Sequence, residues 1–270
     1  MKTRRQFLVG SLAFGGLATS AFGKKMNLAS MPISEGYGAL VADPNKLLDL
    51  PNGFSYKVIL SLGNAMSDGM HVPDRADGMG CLPIDGSSDK VALIRNHELH
   101  PKHLSAQPQS IQKHTSELAY DNYHNGTALP GGTTTMVYNL STQKVEQEFI
   151  SLTGTVRNCS GGITPWGTWL TCEESVDRPH GPNGDVVNND HGYIFEVPAN
   201  ASSLIKAKPL KAMGRFNHEA ACVDPKTGIV YLTEDRGDSL LYRFVPNEYA
   251  NLAAGGQLEA LVVKNKPQFD

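Results

Sequence analysis

"RNCSGGITPWGTWLTCEES" (residues 157–175) indicates the fold most directly, because it reads as a turn that leads into a strand. Pro165 and Gly167 supply the turn, and the residues that follow are mainly the aromatic, β-branched and apolar types that pleated strands accept. Before the turn, Cys159 lies beside a double glycine, where the backbone can approach another group closely. The stretch therefore predicts a strand with an unusual cysteine at its entrance.

Side chains alternate between the two faces of a strand, which separates the two adjacent glutamates of this stretch. One face carries Trp169, Thr171 and Glu173, and the other carries Leu170, Cys172 and Glu174. We therefore expect only one glutamate to serve a shared site. Glu174 is the better candidate, because its neighbours on the same face are apolar.

Short runs of the same composition continue along the chain, whereas helical periodicity is hard to find. Predicted strands cover residues 54–60, 90–98, 133–140, 144–152, 167–174, 192–198, 220–224, 228–235 and 240–246. The segments "NLSTQK" and "VDPKTGIV" predict tight hairpins, and polar stretches at 99–131 and 175–191 are expected to separate groups of strands. The fold class is all-β. Sandwich, barrel and propeller remain open, because no clean repeat period is visible.

Acidic residues at the ends of strands favour the propeller. Glu98, Glu174 and Asp235 close predicted strands, and Glu219 stands just before one. In a propeller the inner strands can aim such residues at one central channel, where clustered carboxylates repel one another unless cations hold them. The alternative is that each acid simply faces water.

Composition limits the class of protein. The chain has 270 residues, 40% of them hydrophobic, which is enough for a sizeable core. The net charge is −3, and residues 1–23 contain Lys2, Arg4 and Arg5 but no acid, so the rest of the chain is more acidic still. This charge argues against a nucleic-acid partner and suits a protein that collects cations.

Residues 1–23 have the layout of an export signal, with a basic start and an uncharged stretch that ends in small residues. Arg4-Arg5 followed by Gln6-Phe7-Leu8 resembles the twin-arginine consensus, although a general secretory signal with two chance arginines is the alternative. We expect the twin-arginine export machinery as a partner and a periplasmic or extracellular location. No stable membrane span is expected after signal removal, which leaves residues 24–270 as the folded domain.

The four cysteines could form two disulfides in an oxidising compartment, with three possible connectivities, but the absence of a Cys-x-x-Cys pair and of a dense framework means that none is implied. Cys172 and Cys222 lie in apolar segments of the sequence and are expected to be core residues. The spacing of His97, His100 and His103 is compatible with zinc, but Pro101 breaks any helix that would align them. Trp166 and Trp169 are expected to serve in packing.

Three aspartates, Asp68, Asp74 and Asp77, lie in a glycine-rich segment with a calcium-like composition. Turn chemistry alone explains such Asp-Gly pairs, and the spacing is not that of an EF-hand.

The stretch at 157–174 also resembles the signature of the PhoX-type alkaline phosphatase family. Further segments agree with that family in the same order along the chain: "PDRADGMG" (73–80), "LIRNHEL" (93–99), "LPGGTTT" (129–135), "HGYIFEV" (191–197), "MGRFNHEAA" (213–221) and "YLTEDRGDSLLYRFVP" (231–246). The resemblance covers nearly the whole chain after the signal. It implies a six-bladed propeller with iron and calcium in its channel, which hydrolyses phosphomonoesters outside the cytoplasm.

The resemblance also implies roles for individual residues. Cys159 would be the thiolate ligand of ferric iron, and Glu174 and Glu219 would be carboxylate ligands. Glu98 and Asp235 are weaker ligand candidates. Clustered carboxylates suit calcium and ferric iron, and a thiolate adds charge neutralisation.

A phosphate substrate would also need positively charged groups near the metals. Arg157 and Arg236 are the arginines best placed in the sequence to hold the substrate phosphate, although each is otherwise an ordinary salt-bridge residue. Members of the family continue well beyond the position that corresponds to Asp270, so we expect this chain to form only the N-terminal part of the propeller.

Two other functions remain open. One is a calcium-dependent propeller hydrolase of another class, such as a lactonase, which would need no iron and could lose Cys159. The other is a non-catalytic exported propeller that binds a ligand, which would tolerate the loss of Cys159, Glu174 and Glu219 together.

Overall fold

The computed structural model describes residues 36–106 and 117–264, so the predicted export signal at 1–23 lies outside the described residues. The chain divides into two compact units, residues 1–57 and 58–270. In the first unit, strand β1 (Leu40–Val41) pairs with strand β2 (Leu50–Pro51) in an antiparallel hairpin. The carboxylate of Asp43 accepts a 2.6 Å hydrogen bond from the Tyr56 hydroxyl and further bonds from backbone amides of the connecting loop.

The second unit contains three antiparallel sheets in its described part. The first sheet consists of β3 (Ala76–Pro83), β4 (Lys90–His97), β5 (Gly131–Asn139) and β6 (Lys144–Thr155). The second sheet consists of β7 (Asn158–Ile163), β8 (Thr168–Glu173) and β9 (Ile194–Pro198). The third sheet consists of β10 (His218–Val223), β11 (Val230–Glu234), β12 (Leu241–Pro246) and β13 (Gly256–Ala260).

Within each sheet the strands follow one another in chain order, and neighbouring sheets pack face to face. Between the first and second sheets lie Ile94, Leu152, Trp169 and Phe195. A second core, between the second and third sheets, contains Leu170, Cys172, Ile194, Leu232 and Phe244. Sequential meanders stacked in this way are consecutive blades of a β-propeller, so the predicted all-β propeller class is confirmed.

The first strands of the three sheets lie side by side, with β7 in contact with both β3 and β10. Glycines permit this approach. A Cβ added to Gly78 would lie 2.8 Å from Ser160 Cα, and one added to Gly162 would lie 1.9 Å from the Ala221 carbonyl oxygen. The first strands therefore form the inner layer, as the inner strands of propeller blades do.

Most predicted strands are present, but the prediction at 54–60 is wrong, because no strand forms there. The sequence patterns also missed β3, β7 and β13, which are short or rich in glycine and acidic residues. The polar stretches at 99–131 and 175–191 do not separate groups of strands. Each lies between the second and third strands of one sheet, whereas only two residues join β6 to β7.

Burial confirms one cysteine prediction and corrects another. Cys172 is fully buried, but Cys222 is exposed because it points away from the core on the outer face of the third sheet. No helix among the described residues is long and apolar enough to cross a membrane.

Candidate metal centre

Three residues from two sheets converge at the end of the inner strands. One potential ligand atom from each of Cys159, Glu174 and Glu219 lies within 4.8 Å of the other two. Cys159 is buried and the two glutamates are half-buried. A thiol and two carboxylates at this separation form a set that can hold one metal ion.

Cys159 and Glu219 occupy matching positions in their strands. Each is the second residue of the first strand of its sheet, in β7 and β10, and lies within a shift of the pairing register. Such β-bulges redirect side chains, which explains how both reach the same point. Glu219 thus lies within its strand, rather than before it as expected. Asp77 holds the same position in β3, so the expectation of a turn there is wrong.

The residue that follows the second strand of each sheet also occupies a matching position. Glu98, Glu174 and Asp235 each directly follow the second strand, as predicted from the sequence. Their backbone amides donate to the carbonyl of the residue just before the first strand of the same sheet, at 2.9, 3.0 and 3.0 Å. Those carbonyls belong to Arg75, Arg157 and Asn217.

The three sheets therefore repeat one arrangement that sequence reasoning did not detect. The intervals from Asp77 to Cys159 and from Cys159 to Glu219 differ, because the loops within the sheets differ in length. A local signal did exist: Arg75 and Arg157 stand two residues before Asp77 and Cys159, respectively.

Arg157 lies between two of the acids. Its Nε and Nη2 donate to Glu98 Oε1 at 3.0 and 2.7 Å, and Nη2 also donates to Glu174 Oε2 at 2.5 Å. Asp235 and Arg236 directly follow β11 and are exposed. The structure thus brings Cys159, Glu174 and Glu219 together, links Glu98 to them through Arg157, and leaves Asp235 and Arg236 at the solvent-facing edge.

The electrostatics of the centre favour a cation. Burial raises the pKa of Glu174 to about 7, and Glu98, Glu219 and Asp235 add to this rise while Arg157 opposes it. Burial and neighbouring acids also raise the pKa of Glu219. Burial raises the pKa of the Cys159 thiol as well. A bound cation would offset this effect, because it stabilises the deprotonated, charged forms of all three groups.

Glu173 faces the other way, into a buried network that sequence reasoning missed. His191 Nδ1 lies 2.6 Å from Glu173 Oε1, and His191 Nε2 lies 3.2 Å from Asp121 Oδ2. Backbone amides of Val156, Gly192 and Tyr193 also donate to the Glu173 carboxylate. All members of this network are nearly inaccessible to solvent. Because Val156 precedes Arg157 and Glu173 precedes Glu174, the network fixes the chain directly before both of these residues.

The other predicted features have ordinary partners. His97 is buried between the Asp74 carbonyl and Thr134 Oγ1, and burial lowers its pKa to about 3. His100 contacts Asp177 instead of joining a zinc site with His97. Trp169 Nε1 donates to Asn96 Oδ1 in the core between the first two sheets, which confirms its packing role.

The donor set fits iron and calcium on chemical grounds. Ferric iron accepts carboxylate and thiolate, and calcium accepts carboxylate and amide oxygens. Asn217 precedes β10 and carries a buried Oδ1 with no hydrogen-bond partner. Such an oxygen, next to the acids that close this end of the sheets, is the type that calcium takes as a ligand.

Comparison with known proteins identifies the family of the chain. Residues 35–143 and 132–269 match the family described as "Alkaline phosphatase PhoX". The chain belongs to the PhoX alkaline phosphatase family. The PhoX match spans all three sheets and every residue of the candidate metal centre. No match to the chain is found among curated proteins.

A solved PhoX structure shares the fold. The structure is similar to that of Pseudomonas fluorescens PhoX in complex with vanadate, a transition state analogue, with a TM-score of 0.52 and 18% sequence identity. The match covers 78% of this chain and 52% of that chain, so the chain spans about half the length of the relative. At this identity the likeness concerns the fold alone.

Proposed function

We propose that the protein is a phosphomonoesterase whose centre holds ferric iron and calcium in the propeller channel. The observation that carries the proposal is the convergence of Cys159, Glu174 and Glu219 within 4.8 Å in a chain of the PhoX family. The vanadate bound to the similar structure supports a phosphate-ester substrate, because that ligand is a transition-state analogue there.

In this proposal, different residues of the chain bind iron and calcium. Cys159, Glu174 and Glu219 hold the iron, with the thiolate neutralising part of its charge. Glu98 and Asp235 supply carboxylate oxygens for calcium, and Asp77 joins them because it occupies the position of Cys159 in the first sheet. When bound, the metals supply positive charge that neutralises the phosphate oxygens.

Arg236 binds the substrate phosphate in this scheme. It is exposed next to Asp235, where its guanidinium can reach a ligand that enters from solvent. Arg157, the other arginine expected at the phosphate, already donates to two carboxylates.

The location is part of the same proposal. We propose that residues 1–23 direct the protein through the twin-arginine route to the periplasm or the exterior. Changing Arg4-Arg5 to Lys-Lys would retain the precursor in the cytoplasm if the twin-arginine route is used. Continued export of that variant would instead indicate the general secretory route.

The deciding experiment is elemental analysis of the exported full-length protein together with hydrolysis of p-nitrophenyl phosphate. The wild type is compared with Cys159→Ala and with Cys222→Ala, whose thiol is exposed and does not belong to the group of three possible ligands. We expect iron and calcium in the wild type and in Cys222→Ala, with iron and activity lost only in Cys159→Ala. Calcium alone, unaffected by Cys159→Ala, would favour a calcium-dependent hydrolase of another class. A folded protein without metal would favour the non-catalytic propeller.

A further inference from the structure

Arg157 is attached by its side chain to Glu98 and Glu174, and by its backbone to Leu99 and Glu174. The guanidinium bridges Glu98 and Glu174, which belong to different sheets. The Arg157 amide donates to the Leu99 carbonyl at 2.9 Å, and its carbonyl accepts the Glu174 amide at 3.0 Å. The same two chain segments are therefore held twice by one residue.

The backbone of Arg157 adopts the left-handed conformation, with φ of 52°, which is uncommon for a residue other than glycine. Arg75 at the matching position of the first sheet has φ of 51° and an exposed side chain. The first two sheets therefore share this conformation, which Asn217 at the matching position of the third sheet does not adopt, whereas the bridge between acids belongs to Arg157. Strained positions persist where the surrounding structure requires them, which is common at functional sites.

We propose that Arg157 is a positioning residue that holds Glu174 in the geometry that a metal requires. The inference rests on the proposed metal centre. Glu174 accepts Arg157 on Oε2, and one of its carboxylate oxygens lies within 4.8 Å of ligand atoms of Cys159 and Glu219. Arg157 also offsets the repulsion among Glu98, Glu174 and Glu219, so these acids stay together before a metal arrives.

This role differs from the phosphate contact that the sequence suggested. A guanidinium can make a bidentate contact with phosphate through its Nε–Nη2 edge or its Nη1–Nη2 edge, and Nη2 belongs to both edges. Nη2 of Arg157 already donates to Glu98 and Glu174, and Nε donates to Glu98. A phosphate bound through either edge would therefore have to displace at least one of these carboxylates.

The test measures metal affinity directly. The intact protein is stripped of metal with a chelator and titrated with Co²⁺, and binding is followed by the thiolate-to-cobalt charge-transfer band, which Cys159→Ala should abolish. Groups that orient a metal ligand typically change affinity by about 10- to 100-fold when removed. We expect a loss of that size for Arg157→Gln and a smaller loss for Arg157→Lys, which keeps the charge without the planar fork.

Arg75→Gln is the matched control, because it changes an arginine with the same backbone conformation and should leave the band and the affinity unchanged. Wild-type affinity in Arg157→Gln would overturn the positioning role and leave the metal centre intact. If the metal affinity of Arg157→Gln is unchanged and vanadate inhibits the variant more weakly, the positioning role is also overturned. Arg157 would then be assigned to phosphate binding. Absence of the band in the wild type would overturn the metal centre and the positioning role together.

Discussion

Glu173 and Glu174 are consecutive residues whose carboxylates lie on opposite sides of the second sheet. Glu173 points toward the first sheet, where it is inaccessible to solvent and contacts His191. Glu174 points toward the third sheet, where it lies close to Glu219 of that sheet and to Cys159 of its own sheet. Because the second sheet is buried on both faces, alternation along one strand supplies two different acidic sites.

Replacing each glutamate by glutamine should separate stability from metal binding. Glu173→Gln places an amide nitrogen among backbone donors and leaves His191 without its closest anion, so we expect a loss of about 3–5 kcal/mol in the free energy of unfolding. Glu174→Gln should change that free energy by about 1 kcal/mol or less, since its partner Arg157 is partly exposed. Urea unfolding of the metal-free protein measures the free energy of unfolding of both variants. Elemental analysis measures the loss of iron in Glu174→Gln. Equal stability losses would contradict the assignment of the two sites.

Stability should fall between neutral and alkaline pH because of His191. Burial alone would lower the pKa of His191, but the charge of Glu173 and hydrogen bonds with Asp121 and Glu173 raise it to about 9. Tyr120 also packs edge-on against the ring. A raised folded-state pKa contributes stability that is complete below the unfolded-state value near 6.5 and disappears as the pH rises through the folded-state value.

The expected decrease is on the order of 3 kcal/mol between about pH 6.5 and pH 9.5. Urea unfolding at a series of pH values measures it. His191→Asn should flatten this dependence, whereas His124→Gln, at an exposed histidine, should retain it. An unchanged slope in His191→Asn would assign the dependence to other groups.

The four cysteines should divide into two classes of reactivity in the metal-free native protein. Cys81 and Cys222 are exposed, whereas Cys159 and Cys172 are buried and have thiol pKa values raised by burial. A thiol needs access and thiolate character to react, so two should react rapidly and two only after unfolding. Mass spectrometry after brief treatment with iodoacetamide identifies them. Rapid labelling of Cys159 would show that the centre is more open than the packing indicates.

Gly162→Ala should disturb the inner layer of strands. The added Cβ would lie 1.9 Å from the Ala221 carbonyl oxygen, so β7 and β10 must separate. We expect a loss of at least about 1–3 kcal/mol in the free energy of unfolding, typical of overpacking. Metal affinity should fall as well, because Cys159 and Glu219 come from those two strands. Gly36→Ala, where an added Cβ meets nothing within 4 Å, is the matched control and should change neither property.

The sequence by itself determined the local features of this protein. Periodicity of two and turn residues marked most strands, and the same alternation correctly assigned Glu173 and Glu174 to opposite faces. The segment resemblance pointed to the family that the PhoX match confirms. These features depend on neighbouring residues and on short spacings, which a sequence shows directly.

Only the tertiary structure decided which distant residues meet. The sheet repeat that aligns Asp77 with Cys159 and Glu219 is hidden in the sequence by loops of unequal length. The bridge from Arg157 to Glu98, and the pairing of His191 with Asp121, join residues in different segments of the chain. Such contacts arise from strand bulges, sheet stacking and the burial of charge, which depend on the packed inner strands rather than on local pattern.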